Sequence, residues 1–543
     1  MNALDWSIVA FYLLGMIGLS VWLGRTQRTG SDYFLGGNRI GHWAIATSIL
    51  ATQCSTNSLL GAPAFVIAVG GLLWLQYELA VPLAMIGVMM FLLPFFRSQH
   101  VVSVYEYLGR RFGPGSRMLL SLLFQFLRAF STGVTVYGIS LVIQQLVGLP
   151  FWASVLLIGV VAMIYEFLGG IRADIYSDVI QMIILYAGIA VCLVYAVHLT
   201  GGWNEIVAAF PKEKMRTLDF RSMGLTGGAN PFAFWPMLFG GFFLYLSYYG
   251  CDQTQVQRGL STRDVDGTNM SLFLNGMLRF PLTLTYCLIG VAIGAYIIKH
   301  PAFLERLVDP ATNTVNYNLA VPSFCLHVMP HGVIGLIMVA MFAAAMSSLD
   351  STLNSLSALT IRDIVERFRS AGPFNERQLI RWGRLITIGW GILCMTFSFF
   401  VGEISPSIIE TINKIGSLVN GPILATFLLA TLTRRANDPG VMAGIIAGFI
   451  ANLMTWLLLP GVSWLWWNVS GCLITFSVGY CASFLFRSRP VQELEGLVYH
   501  GDAAKQFNYR RNWRAYLLIL AAYFVVLVLV LWGIERIFNV PSP

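Results

Sequence analysis

One pattern governs what this chain can become. Runs of about 20 predominantly apolar residues, the length that crosses a bilayer as a helix, recur from near the first residue to near the last. Fourteen such spans are expected, at 4–24, 42–69, 71–96, 118–147, 151–170, 174–199, 234–257, 270–298, 327–361, 379–401, 406–433, 439–459, 463–486 and 513–537. The connections between them are too short for a soluble domain. Composition agrees: 57% of the 543 residues are hydrophobic and 11% charged, against about 25% charged in a soluble globular chain. These figures exclude a soluble enzyme, a nucleic-acid-binding protein and a disordered scaffold. The fold class expected is all-α and membrane-embedded.

Lys and Arg are retained in cytoplasmic loops. With the N-terminus outside, the seven inner loops and their flanks hold 24 of the 34 basic residues, Arg258 among them. The outer segments hold 7, and the other 3 lie within spans. The net charge of +8 is therefore a signature of topology, and no nucleic-acid partner is expected. The eight cysteines form no C-x-x-C pair, so neither a disulfide framework nor a zinc site is read from them.

A charge at the bilayer centre costs on the order of 2.5–3.5 kcal/mol on insertion scales, so each intramembrane charge asks for a reason. Glu78, Arg128, Asp178, Arg279, Asp350 and Lys414 are those charges. Long basic side chains reach the interface or pair structurally, the bland account preferred for Arg279 and Lys414 and weighed at least equally for Arg128. Asp178 and Asp350, with polar neighbours at helical spacing, point to function.

In the span 327–361, Ser347, Asp350, Ser351 and Asn354 fall three and four apart and share one helix face. Hydroxyl and carboxylate oxygens are what a hard cation requires. A hydroxyl bonding back to its own helix explains the serines but not Asp350. In the span 42–69, the run Ala51-Thr-Gln53-Cys54-Ser-Thr-Asn-Ser58 is almost wholly small or polar. Unwinding there would free carbonyls, tolerable in a membrane only where they line a cavity or hold a ligand. The span 234–257 carries a similar irregularity at Gly240-Gly241 and Ser247–Gly250. Two interrupted spans five apart point to an inverted-repeat secondary transporter, although a channel also uses irregular polar spans.

Five ordered motifs sharpen this. They are Asp32-Tyr-Phe-Leu-Gly-Gly-Asn-Arg39, Tyr105-Glu-Tyr-Leu, Gly169-Gly-Ile-Arg-Ala-Asp-Ile-Tyr-Ser-Asp178-Val-Ile-Gln181, Asp252-Gln-Thr-Gln-Val-Gln-Arg258, and Ser347-Ser348. With them the chain resembles the sodium:solute symporter family, of LeuT-like fold, over essentially its whole length. The resemblance implies a 5+5 inverted repeat with flanking helices: an N-terminal span and loop at 1–41, a ten-helix core at 42–433 (42–199 and 234–433) and accessory spans at 434–543. It implies Na+ as the coupling ion, held by the carbonyls of Ala51, Cys54 and Ala344 and the hydroxyls of Ser347 and Ser348. Some branches hold a further sodium beside the acid matching Asp178 and a second hydroxyl pair, which here reads Asp350-Ser351. That carboxylate departs from the pattern and leaves a second sodium, a proton or a structural pair open. The two flanking hydroxyls, with no base one helical turn from Asp350 in the sequence, favour a second cation site at Asp178, Asp350 and Ser351.

Solute contacts implied by the sugar-transporting branch fall at Gln53, Ser58, Glu78, Tyr248 and Asn413. Ser58 and Met277 depart from that branch and weaken a hexose assignment. The stretches Leu60-Gly-Ala-Pro63 and Tyr249–Arg258 look more like the branch carrying monocarboxylates, vitamins and small anions, for which Arg128 offers a bidentate donor. The expected function is sodium-coupled import of a small carboxylate, vitamin-like or sugar-derived solute by alternating access, with no covalent chemistry. The alternatives are a hexose-type sodium/sugar symporter and, behind it, an ion or solute channel. The expected location is the plasma membrane, a bacterial inner membrane, with no obligate protein partner.

Overall fold

The structure, a computed structural model, describes residues 1–538 apart from Thr26, Ser55, 226–229, 309–312, 370–373, 402–407, 500–506 and Asn508. The described residues form helices joined by turns, with isolated bridges such as Ile40 to Thr262 and no strand. In chain order the helices that matter are α1 (Ala3–Gly24), α2 (Gly30–Leu35), α3 (His42–Gln53), α4 (Thr56–Ala68), α5 (Gly71–Ser98), α6 (Val104–Arg111), α7 (Pro114–Val147) and α8 (Phe151–Thr200). They continue with α9 (Gly241–Cys251), α10 (Gln253–Leu260), α11 (Val265–Lys299), α12 (Val333–Leu359), α13 (Glu376–Ser398), α14 (Ile408–Leu432), α15 (Asp438–Leu458), α16 (Trp466–Ala482) and α17 (Trp513–Ile537).

Ten helices among the described residues are long and apolar enough to cross a membrane, against the fourteen spans expected. The difference has identifiable sources. The spans 151–170 and 174–199 form one run of helix, α8, turned at Gly170 with φ 51° and ψ −166°. Only glycine adopts that conformation without strain, and a Cβ there would stand 2.8–2.9 Å from the ring and carbonyl of Tyr33. The span 42–69 is divided into α3 and α4, and the span 234–257 is broken at Asp252 between α9 and α10. The span 379–401, carried by α13, is helical but not among the ten.

Burial orders these helices from centre to rim. The most apolar window of the α12 stretch is 83% buried, that of α17 only 17%. α12 lies against α8, α7 and α1, and Ala343–Ala345 let neighbouring backbones approach closely. Phe11, Leu14 and Trp22 on α1 and Leu518, Leu529 and Trp532 on α17 point outward, the disposition of lipid-facing side chains. The polar stripe of α12 thus sits at the most enclosed position in the fold.

Candidate functional site

The two helix breaks face one cavity. α3 ends at Gln53, and Cys54 leaves helical geometry at φ −84°, ψ 62°, before α4 begins at Thr56. The last-turn carbonyls of α3 therefore have no full helical turn after them to bond. The second break falls at Asp252, ψ 121°, later than the Gly240–Gly250 stretch suggested, while Pro236–Gly240 forms a π-helical turn. A cavity of about 200 Å³ opens between these elements, α7, α11, α12 and α14.

Gln53, Ser58, Arg128, Tyr248 and Asn413 all line that cavity, so five of the six expected solute contacts converge there. The sixth, Glu78, does not line it. Its carboxylate is fully buried and bound in fork geometry by Arg279, Nε to Oε2 at 2.9 Å and Nη2 to Oε1 at 3.2 Å. Glu78 is a backing group, and the lining residue is Arg279. Arg279 does pair with another of the intramembrane charges, as its bland account allows, but the pair stands at the cavity wall. Its Nη1 reaches the Cys54 sulfur at 3.4 Å, which ties the cavity wall to the α3–α4 break. Tyr249 donates to the Gln53 side-chain oxygen, adding a second tie to that break.

Arg128 does not extend to an interface. It pairs with Asp252, which also lines the cavity, donates to Thr254 at 3.2 Å, and lies 5.4 Å from the ring centre of Tyr248. Tyr248 in turn accepts from Gln255 at 2.8 Å. Two guanidinium groups thus reach the cavity, one balanced by a carboxylate on its surface and one by a carboxylate behind it. Trp74, Tyr77 and Tyr245 supply an aromatic wall.

Ala51, Ala344, Ser347 and Ser348, four of the five sodium ligands implied by the family resemblance, gather against the same break. The Ser347 hydroxyl lies 3.3 Å from the carbonyl oxygens of both Ala51 and Ala344. Ser348 donates to the Thr52 carbonyl at 3.2 Å and lines the cavity. Hydroxyl and carbonyl oxygens with no net charge suit a small monovalent cation. The Thr52 carbonyl is an addition to the expected set, which takes Ala51 before it and Cys54 beyond it.

Deeper in the protein, carboxylate oxygens of Asp174, Asp178 and Asp350 lie within 4.8 Å of one another, and all three residues are fully buried. Ser351 joins them, its amide donating to Asp350 at 2.7 Å and its hydroxyl lying 3.0 Å from that of Thr52. Asp178, Asp350 and Ser351 are thus brought together, but a base stands with them. Arg258 is 1% exposed, which removes it from the loop arginines. Its Nη2 contacts Asp174 at 2.7 and 2.8 Å and Asp178 at 3.3 Å and also donates to the Ser351 hydroxyl, while its Nε donates to Ser48 at 2.7 Å. Asp350 has no ion pair with it and accepts instead from Tyr165. Arg258 had a signal in the sequence: the run from Asp252 has no apolar face except Val256, and such a segment inside a helical bundle must be matched by buried partners.

Residues 33–448 match the sodium:solute symporter family. The sodium/sialic acid symporter NanT of Aliivibrio fischeri is 30% identical over 90% of this chain and 94% of its own length. The human sodium/iodide cotransporter is 27% identical over 84% of this chain and 70% of its own. A rabbit sodium-dependent multivitamin transporter is 29% identical over 81% and 69%. Among solved structures, a substrate-bound, outward-open sodium-coupled sialic acid symporter superposes with a TM-score of 0.80 at 27% identity, covering 90% of this chain and 99% of that one. With two broken helices around a polar cavity and a cluster of hydroxyl and carbonyl oxygens beside it, the chain belongs to the sodium:solute symporter family and is a sodium-coupled, multi-pass membrane transporter of a small solute.

Proposed function

We propose that the solute is a small organic anion bearing a carboxylate, imported with sodium. The observation that carries this is the pair of guanidinium groups, Arg128 and Arg279, on the cavity surface. Planar forks of N–H donors match a carboxylate better than any other side chain does. Arg279 shows the clearest positive face, since its carboxylate partner lies behind it, and of its five N–H groups two go to Glu78 and one to the Cys54 sulfur, which leaves two for a ligand. The aromatic wall, Gln53, Ser58, Tyr248 and Asn413 would hold the remainder of the molecule. Relatives that carry sialic acid and monocarboxylates support an anion.

Sodium is assigned to the carbonyls of Ala51, Cys54 and Ala344 and the hydroxyls of Ser347 and Ser348, and a second cation to Asp178, Asp350 and Ser351. The transport core is assigned to 42–433, with 1–41 and 434–543 accessory, the N-terminus outside and the chain in the plasma membrane, a bacterial inner membrane by its relative NanT of Aliivibrio fischeri. No covalent step is involved. Thermal unfolding of the purified protein with sialic acid, lactate, or glucose, each in sodium and in potassium, tests the assignment. A sodium-dependent rise with one of the acids and none with glucose is expected. Stabilisation by glucose alone would overturn the anion assignment.

A further inference from the structure

The second cation site is already touched by a cation, the guanidinium of Arg258. Two of its three proposed ligands, the Asp178 Oδ2 atom and the Ser351 hydroxyl, are hydrogen-bonded to the same nitrogen, Nη2 of Arg258. A sodium ion coordinated by those oxygens would meet that nitrogen, and two positive charges in contact in a low-dielectric interior repel strongly. We propose that Arg258 and the second sodium are alternate occupants of one site, the arginine acting as a tethered cation that sodium displaces. This rests on the sodium-coupled function and on the second-site assignment above.

Three features favour exchange over a permanent ion pair. The first is charge balance. Asp174, Asp178, Asp350 and Glu166 are all fully buried, and the guanidinium of Arg258 is the only cation ion-paired to any of them among the described residues. Buried carboxylates need compensating charge or a proton, so this cluster has room for a second cation. The second is acceptor capacity left unused: Asp178 Oδ1 and the Gln181 Oε1 atom, one helical turn further along α8, are buried without a hydrogen-bond partner in the structure. The third is a place for Arg258 to go. Asp174 binds the same Nη2 with both oxygens, at 2.7 and 2.8 Å, more closely than Asp178 at 3.3 Å. Shifting toward Asp174 would release Asp178 and Ser351 while keeping the guanidinium paired.

The displacement also has a path to the solute cavity. Arg258 lies near the end of α10, whose cap residue Asp252 is the partner of Arg128 on the cavity surface. Along the same short helix, Thr254 lies 3.3 Å from Ser355, and Gln257 donates to Asn354 at 2.8 Å. A shift of Arg258 would therefore act on α10 and, through it, on Asp252 and Arg128. Loading of the second sodium and the grip on the solute would then be coupled.

The test is sodium binding by the full-length protein in detergent, followed as thermal stabilisation by NaCl with KCl holding ionic strength constant. A seated competitor reduces apparent affinity by the fraction of time the site is free, so in Arg258→Met the sodium midpoint should fall on the order of tenfold if the arginine is seated about nine-tenths of the time. In Asp178→Asn, adding Arg258→Met should leave the midpoint unchanged. An unchanged or raised midpoint in Arg258→Met, or an equal fall in the Asp178→Asn background, would overturn the exchange. Hydrogen exchange of the wild-type α10 amides needs no variant. Sodium should accelerate exchange over 253–260, and protection or no change there would count against displacement. If the wild type showed no preference for sodium over potassium, sodium coupling itself would fail, and that outcome is distinct from failure of the exchange.

Discussion

At the scale of single residues, the cavity is built from charges whose partners decide their roles. Arg279 and Glu78 form a fork-geometry pair with the carboxylate fully buried. Removing one member of such a pair leaves an uncompensated charge and costs about 3–5 kcal/mol, whereas replacing both is far milder. Glu78→Ala alone should therefore lower the unfolding temperature sharply, and Glu78→Leu with Arg279→Met should recover most of the loss without recovering solute binding. Recovery of both would remove Arg279 from the site. Ser347→Ala deletes a hydroxyl set between two carbonyls. A bond to a charged group is worth about 1.5–3 kcal/mol, so the sodium concentration for half-maximal transport should rise roughly tenfold or more; unchanged activation in reconstituted vesicles would show that the hydroxyl is not a ligand. Gln53, Ser58, Tyr248 and Asn413, which the family resemblance singled out, line the cavity, and Ser347 and Ser348 lie against the carbonyls at the end of α3. Glu78 and Arg279 exchanged places because a sequence displays charges but not which of two paired charges stands in front.

At the scale of elements, breaks and bends do what continuous helices cannot. α3 and α4 are divided at Cys54, and α9 and α10 at Asp252, and between them lie the cavity, the hydroxyl–carbonyl site and the Arg258 cluster. The first break was legible because eight consecutive residues offered little apolar surface to hold a helix in place. The second was legible as a region but not to the residue, since Gly240–Gly250 is locally as permissive as Asp252, and the choice is made by tertiary partners: the Asp252 side chain caps Thr254 at 2.8 Å and binds Arg128. α8 bends at Gly170 for a different reason, a positive φ with Tyr33 packed against the Cα. Gly170→Ala should cost about 1–3 kcal/mol in backbone strain alone, with a further penalty from the Tyr33 contact, and this is read as a fall in unfolding temperature. If the variant melts with the wild type, the bend is not held where α8 meets α2. Arg258 escaped notice at this scale too, because a hydropathy window closes a span at the first arginine, whereas here the charged turn remains inside the bundle.

At the scale of the whole molecule, the number of cations sets how steep a gradient the transporter can sustain. One charge crossing 100 mV releases about 2.3 kcal/mol, which at ~1.4 kcal/mol per decade supports roughly 50-fold accumulation. A monoanion entering with one sodium moves no net charge, so the voltage adds nothing and only the sodium gradient drives it. Entering with two sodium ions, it moves one net positive charge and recovers the voltage contribution. Asp350 is the group on which this difference turns: fully buried, beside Asp174 and Asp178, with Tyr165 and the amide and hydroxyl of Ser351 as its hydrogen-bond donors. In proteoliposomes with an imposed potential, solute uptake by the wild type should speed up as the interior is made negative, with a sodium Hill coefficient above one. Asp350→Asn keeps the size of the side chain and removes its charge. It should bring the Hill coefficient toward one and make uptake of a monoanion independent of voltage, while the Ser347–Ser348 site continues to require sodium. A variant that still moves the wild-type charge per solute would mean that Asp350 serves the fold through Tyr165 rather than the ion, and the second cation would have to be sought elsewhere.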